Sequence, residues 1–361
     1  MKITDVVSFV GSHKFYVKVE TDEGAFGFGE SSPMRPPVLL AIMQSVIKPA
    51  ILGMDPFQSE AIEERVMRRN YKLSGQLLAA AFSGVEIALW DLKGRWLGQP
   101  VYNLLGGRYR DHIPLYGSSM SRNLSPVEEA EKLQTAVAAF NFAAVKIKVG
   151  PRYGQGLRVD LDADEEKIKT VRKAIGPKVK LMIDGNGSYT AIQALELYQR
   201  VSDQGIHYFE EPCPYDDIEA YVRLAGSLPV PIHVGEQNWN LYTFRDFVSR
   251  GACHYYGADP IKCGGLANAK RAATLCRAFG VEYVPHNTTR SIGFAAAIHL
   301  AASTPECNTF YEYSIEPKSN RSEFWTFDAR IENGVVEVGH APGLGVSVDE
   351  SQLAREFSQY R

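Results

Sequence analysis

The order of apolar and polar positions divides this chain into two unlike parts. Residues 1–7 open in a strand pattern, and 15–20 alternate up to the turn Thr21-Asp22-Glu23-Gly24. Residues 25–29 form a second run that ends at Glu30. Alternation interrupted by a glycine turn predicts an antiparallel hairpin. Pro33, Pro36 and Pro37 then break regular structure. A helical period runs from 38 to about 69. A second helix over 75–98 places Ala81, Val85, Ala88, Leu89 and Leu92 at helical spacing. Pro100 and Gly106-Gly107 close this α+β unit of about 110 residues.

The pattern then changes to short apolar runs separated by helical stretches such as 191–204 and 268–279. The runs are 113–117, 143–149, 179–183, 206–209, 230–234, 254–258, 281–284 and 308–311. Eight strands with helical crossovers predict a closed parallel barrel in an α/β protein. An open doubly wound sheet would carry a glycine-rich phosphate loop after its first strand. Here Gly27-Phe28-Gly29 is a fragment inside the hairpin, so no organic cofactor is expected. The last ~35 residues, with Gly334-Val335-Val336 and Gly343-Leu344-Gly345, read as hairpin pieces and a tail outside the barrel.

Composition adds limits. The 361 residues suit about two domains, and a formal net charge of −3 gives no pull toward nucleic acid or anionic membrane. No apolar run is long enough to cross a bilayer and no signal-peptide pattern opens the chain, so a cytoplasmic protein is expected. The five cysteines form no CxxC pair and read as reduced thiols, neither a disulfide frame nor a zinc site.

Chemistry collects where the apolar runs end. The second run carries Lys146 and Lys148; the later ones lead to Asp184, Glu210, Glu236, Asp259, His286 and Glu312, spaced 23 to 27 residues apart. A single acid after a strand is most often a helix cap or a solvated loop residue. A titratable group at nearly every strand end is different, because in a parallel barrel these ends form one mouth. Asp184, Glu210 and Glu236 end three consecutive strands, about 4.8 Å apart. Three carboxylates there repel unless a hard dication joins them, which suits Mg²⁺, with Mn²⁺ able to substitute. Lys146 and Lys148 share one strand face. Their mutual repulsion and a nearby metal are expected to lower a lysine pKa toward neutrality. Asp259 can orient His286 as a base. The mouth then offers two bases on opposite sides of a bound substrate.

These residues resemble the enolase superfamily in its mandelate racemase-like branch. The resemblance runs through Ala88-Leu89-Trp90-Asp91-Leu92-Lys93-Gly94, Leu104-Leu105-Gly106-Gly107, Lys146-Ile147-Lys148, Asp184-Gly185-Asn186, Glu210-Glu211-Pro212, Gly235-Glu236, Asp259-Pro260 with Lys262-Cys263-Gly264-Gly265, and Pro285-His286. It implies a (β/α)7β barrel over 113–325 under an α+β capping domain over 1–112, with 326–361 returning to the cap. It implies Mg²⁺ on Asp184, Glu210 and Glu236. Lys148 or His286 would take the proton next to a substrate carboxylate. Lys146 would stabilise the resulting enediolate, with Glu312 as a hydrogen-bond donor if protonated. Sugar-acid dehydration to a 2-keto-3-deoxy acid is the favoured outcome. Racemisation or epimerisation of a 2-hydroxy acid, or cycloisomerisation of a lactone or anhydro sugar, stays open. A small carboxylate is thus the expected partner, and family analogy suggests a homo-oligomer. The candidate hydroxyl-binding residues are Asn186, Asn238, Arg290, Arg35 and Tyr153. The stretch Gly11-Ser12-His13-Lys14 is short beside the long lid of some relatives.

Overall fold

In the computed structural model, which describes residues 1–317 and 324–361, three N-terminal strands pair antiparallel in chain order. They are β1 (Ile3–Val10), β2 (Phe15–Thr21) and β3 (Phe26–Ser31). The sheet lies on the long helix Gln76–Leu97, and the five apolar positions expected to form that helix's inner face are all fully buried. Val6, Phe15, Val17 and Val19 meet Phe82, Val85 and Leu89 in this core. The contact is close because β3 carries glycines. A Cβ on Gly29 would stand 2.0 Å from Gly84 O, and one on Gly27 would stand 2.2 Å from Ala88 O. Both obstacles are backbone and cannot rotate away. Gly29→Ala is therefore expected to destabilise the protein by about 2 kcal/mol or more. Unfolding in urea checks this, and a midpoint unmoved from wild type would refute so tight a contact.

The helix expected over 38–69 is two helices. Pro36–Ile42 continues through a wide turn at Met43–Ile47 into Lys48–Ile51, and a second runs from Ser59 to Arg68. Gly53, at φ 78°, and Pro56 enforce the break. The freed backbone is used, since Gly53 N donates to Ile3 O and Ile3 N to Met54 O.

The barrel strands are β4 (His112–Ser118), β5 (Ala144–Lys148), β6 (Lys180–Asp184), β7 (Ile206–Glu210), β8 (Ile232–Val234), β9 (Tyr255–Tyr256), β10 (Glu282–Tyr283) and β11 (Tyr311–Ser314). They pair parallel from β10 down to β4, and β11 joins the other side of β4. Each overlaps a predicted run. The last begins three residues late, because a turn at Thr304–Cys307 occupies the chain before it. Crossover helices follow the first seven strands, from Pro126–Phe140 to Ile292–Ala302. Capping boxes start two of them, Ser125 with Glu128 and Thr190 with Gln193.

The C-terminal segment does more than return to the cap. Its strand Val335–Val338 pairs antiparallel with the start of β4, and only the final strand Ser358–Tyr360 closes on β1. Cap and barrel are also tied by buried acids. Glu86 of the long helix accepts from Leu266 N at 2.6 Å and Ala267 N at 3.1 Å. Glu30 accepts from Ser291 Oγ at 2.6 Å and Gly293 N at 2.8 Å. The five cysteines are free and buried, and no described helix is long and apolar enough to cross a membrane.

His299 gives the fold a pH dependence remote from the barrel mouth. It is fully buried, stacked on Tyr102, and its Nδ1 accepts from Tyr102 N at 3.2 Å. Burial pushes its pKa down to about 4. In the unfolded chain it titrates near 6.5. The unfolded state therefore binds more protons between these values, and stability falls as pH drops from about 6.5 toward 4. The full loss is roughly 3 kcal/mol. The difference in melting temperature between wild type and His299→Gln should shrink from pH 7.5 to pH 5. A difference constant with pH would show that His299 does not carry this term.

Candidate active site

Strand order brings the expected groups to one place. Asp184 ends β6, Glu210 ends β7, and Glu236 lies two residues beyond β8. Gly235 makes the last position possible. Its φ is 124°, and a Cβ there would meet the Tyr256 ring at 3.0 Å. The three acids are buried, and their nearest oxygens lie within 4.8 Å of one another. Such a cluster without a cation would be unstable unless basic groups surrounded it. They do. Lys148 pairs with Asp184, and Lys146 Nζ lies 2.7 Å from Glu210 and 3.8 Å from Asp184. Lys262 stands 3.2 Å from Glu236, and His286 Nε2 stands 3.0 Å from it.

The flanking strands complete the ring. His286, three residues past β10, holds Asp259 with Nδ1 at 2.6 Å. Glu312, in β11, lies opposite Lys146 at 3.0 Å and accepts from Ser118 Oγ at 2.7 Å and Asn287 N at 3.1 Å. Two non-glycine residues beside the acids hold left-handed backbone, Asn186 at φ 43° and Glu211 at φ 33°. Strain of this kind is retained where the surroundings over-determine the chain.

Before any cation is counted, the side-chain charges run against two expectations. Burial pushes the Lys146 ammonium down, but Glu210 and Glu312 more than offset it and hold the pKa well above the usual lysine value. Repulsion from Lys148 is outweighed, since Asp184, Glu210 and Glu312 all stand within ion-pair distance of the Lys146 ammonium. Glu312 is correspondingly an ionised acceptor, not a protonated donor. Burial raises it, yet Lys146 and His286 bring it below the usual value, and all three of its close contacts are donors. For His286, burial lowers the pKa and Glu236 raises it more, leaving it at about 10. Against burial, Lys146 and His233 keep Glu210 low, and His286 and Lys262 keep Glu236 low.

The residues expected to bind hydroxyls are mostly engaged elsewhere. Asn186 accepts from Arg122 at 2.6 Å, and its backbone N–H donates to Asp184 at 2.8 Å. Asn238 is buried and donates to the Tyr256 hydroxyl at 2.9 Å, so its amide is a strut. Arg290 is not brought to the site. It donates to Glu316 O and lies over Tyr313, which faces outward because Glu312 faces in. Arg35 is exposed at the start of helix Pro36–Ile42, in a loop held to the barrel by Ser32 N donating to Ile261 O. Tyr153 is exposed and borders the loop after β6 beside Gly187.

Four neighbours of the site carry no role in the sequence reading: Ser118, Arg122, His233 and Lys262, the last named there only within a motif. His233 Nδ1 stands 3.0 Å from Glu210, inside an apolar run where its spacing gave no signal. Lys262 follows Asp259 by three residues, a spacing that folds it back onto Asp259 at 3.8 Å. Ser118 sits at the end of β4, where a polar strand-end residue was the available cue.

The acids fit a divalent cation. Three buried carboxylates converge, Glu210 Oε1 accepts no hydrogen bond among the described residues, and the donors are hard oxygens. Comparison with known proteins places this geometry in a family. Residues 128–352 match the enolase C-terminal domain-like model, and residues 7–106 match the N-terminal domain model of mandelate racemase and muconate lactonizing enzyme. The chain belongs to the mandelate racemase/muconate lactonizing enzyme family of the enolase superfamily. It is 34% identical to a D-galactarolactone cycloisomerase of Agrobacterium fabrum, over 93% of this chain and 89% of that one. It is 31% identical to a D-gluconate dehydratase of Thermoproteus tenax, over 95% of this chain and 70% of that one. Among solved structures, a mandelate racemase/muconate lactonizing protein of Paracoccus denitrificans complexed with magnesium superposes with a TM-score of 0.90 at 31% identity, covering 99% and 98% of the two chains.

Proposed function

We propose that this enzyme removes the proton next to the carboxylate of a sugar acid and expels the β-hydroxyl, giving a 2-keto-3-deoxy acid. One observation carries the reading: Lys148 and His286 flank the acid cluster from opposite ends of its strand series, on β5 and after β10. A cation bound by Asp184, Glu210 and Glu236 supplies the charge that makes the α-proton acidic.

The chain's own groups do the rest. One of the two flanking bases takes the α-proton, and the other is placed to give a proton to the departing hydroxyl. Lys146, fixed as an ammonium by Glu210 and Glu312, faces the negative charge that develops on the carboxylate oxygens. Asp259 holds the His286 ring through Nδ1, leaving Nε2 toward the cluster. Burial of all these groups keeps water from levelling their charges.

A second reading has support of its own. The Agrobacterium relative is a cycloisomerase of a sugar lactone. The same half-reaction with expulsion of a ring oxygen in place of hydroxide would give that outcome.

A panel of aldonates, aldarates and their lactones, incubated with protein and Mg²⁺ in D₂O, separates these possibilities. The expected result is α-deuterium incorporation and a 2-keto acid from an open-chain acid. A 2-keto acid from the lactone only would favour cycloisomerisation. The absence of both exchange and a 2-keto acid with every member would refute α-proton abstraction from this substrate class.

A further inference from the structure

Two guanidinium groups, one half-buried and one exposed, stand together near Asp184, and neither is paired with a carboxylate among the described residues. Arg122, after β4, and Arg152, after β5, line one cavity of about 370 Å³ with Ser121, Asn123 and Gln155. Arg122 is fixed in place. It donates to Val149 O at 2.7 Å, Gly150 O at 2.6 Å and Asn186 Oδ1 at 2.6 Å. All three are neutral acceptors, so its charge is offset only by acids at longer range, Asp184 first. Among the described residues neither arginine has an acid within 4.0 Å.

Their charges also oppose each other. Burial holds Arg122 below the ordinary arginine value, Asp184 draws it up, and Arg152 pushes it down again. Such a pair is stabilised by an anion. The cavity's place decides which kind. Val149 directly follows Lys148, and Asn186, the partner of Arg122, donates through its backbone to Asp184 at 2.8 Å. Asn186 thus stands between the Arg122 guanidinium and Asp184, and a ligand anchored at the acid cluster and extended past Lys148 would reach toward this cavity.

We propose that Arg122 and Arg152 bind the second carboxylate of a dicarboxylic sugar acid, making the site selective for aldarates or their lactones over aldonates. This rests on the sugar-acid reading above. A carboxylate can take paired hydrogen bonds from a guanidinium fork and cancels its charge. The terminal alcohol of an aldonate offers neutral hydrogen bonds and no charge.

The test is calorimetric binding to the Mg²⁺-loaded protein of matched acids that differ at C6: galactonate and galactarate, gluconate and glucarate, mannonate and mannarate. For at least one pair the aldarate should bind about 10-fold tighter or more. Arg152→Gln should weaken that aldarate by about 10-fold and its aldonate by less than about twofold, with Arg152→Lys recovering part of the loss. Equal affinity within every pair, binding of neither an aldarate nor an aldarolactone, or an Arg152→Gln effect equal on both acids would overturn the proposal. Because binding is read without turnover, absence of a 2-keto acid from a bound aldarate would count against dehydration while leaving the arginine assignment standing.

Discussion

Lys148→Met and His286→Asn will each lower turnover by about 10²–10⁴-fold, and they will fail at different steps. Whichever residue takes the α-proton, its loss ends deuterium exchange. Loss of the other ends expulsion of the β-hydroxyl while exchange continues. The argument rests on position. Lys148 touches Asp184 at one end of the acid series, and His286 touches Glu236 at the other. A substrate carboxylate drawn to the cluster therefore has one base on each side. Proton NMR in D₂O reads exchange, and a carbonyl assay on the same sample reads 2-keto acid. Two variants that both exchange and turn over like wild type would remove these residues from the reaction. Two variants that both lose exchange would place them in a single step, with the imidazole orienting the substrate or the lysine.

Much of this was legible before any coordinates. A parallel barrel gathers the ends of its strands, so a titratable residue at each strand end becomes a cluster whatever the details of packing. Asp184, Glu210 and Glu236 were found that way, and they converge. The period of the long helix likewise named its buried face, because helical spacing fixes which side chains share a stripe.

What failed was what depends on a neighbour's identity. Lysine repulsion was weighed without Glu312, which stands 3.0 Å from Lys146 and comes from the far end of the chain. Arg290 is polar and flanks the seventh strand end, which makes it a hydroxyl-binding candidate, but strand alternation around Glu312 turns its contact Tyr313 outward. Asn238 is a candidate hydroxyl binder by sequence, which cannot show the Tyr256 hydroxyl that holds it. His233 was invisible because a polar residue inside an apolar run carries no periodic signal, although its ring meets Glu210. Local pattern specified the frame; partners distant in sequence specified the charge states.

Removing divalent cations will abolish activity, and adding Mg²⁺ or Mn²⁺ back will restore it with release of a proton. Without a cation, the acid cluster is balanced by Lys146, Lys148, Lys262 and His286. His286 is the group among them whose charge depends most directly on Glu236. Its pKa of about 10 is held up chiefly by Glu236, against the pull of burial. A cation that engages Glu236 cancels that support and adds repulsion, so the bound form favours neutral imidazole. The sign follows. Protons compete with the metal below pH 10, and Mg²⁺ affinity rises with pH, by up to about 10-fold per unit where one proton is displaced. Neutral imidazole is also the form able to accept a substrate proton, so metal loading and base activation are one event. Calorimetry of Mg²⁺ binding in two buffers of different ionisation enthalpy counts the protons released. His286→Asn should remove the buffer dependence while retaining metal binding, since the three carboxylates remain. Activity that survives exhaustive chelation would defeat the metal assignment. Metal binding without proton release, or with unchanged release in His286→Asn, would defeat the coupling and leave the carboxylates as ligands.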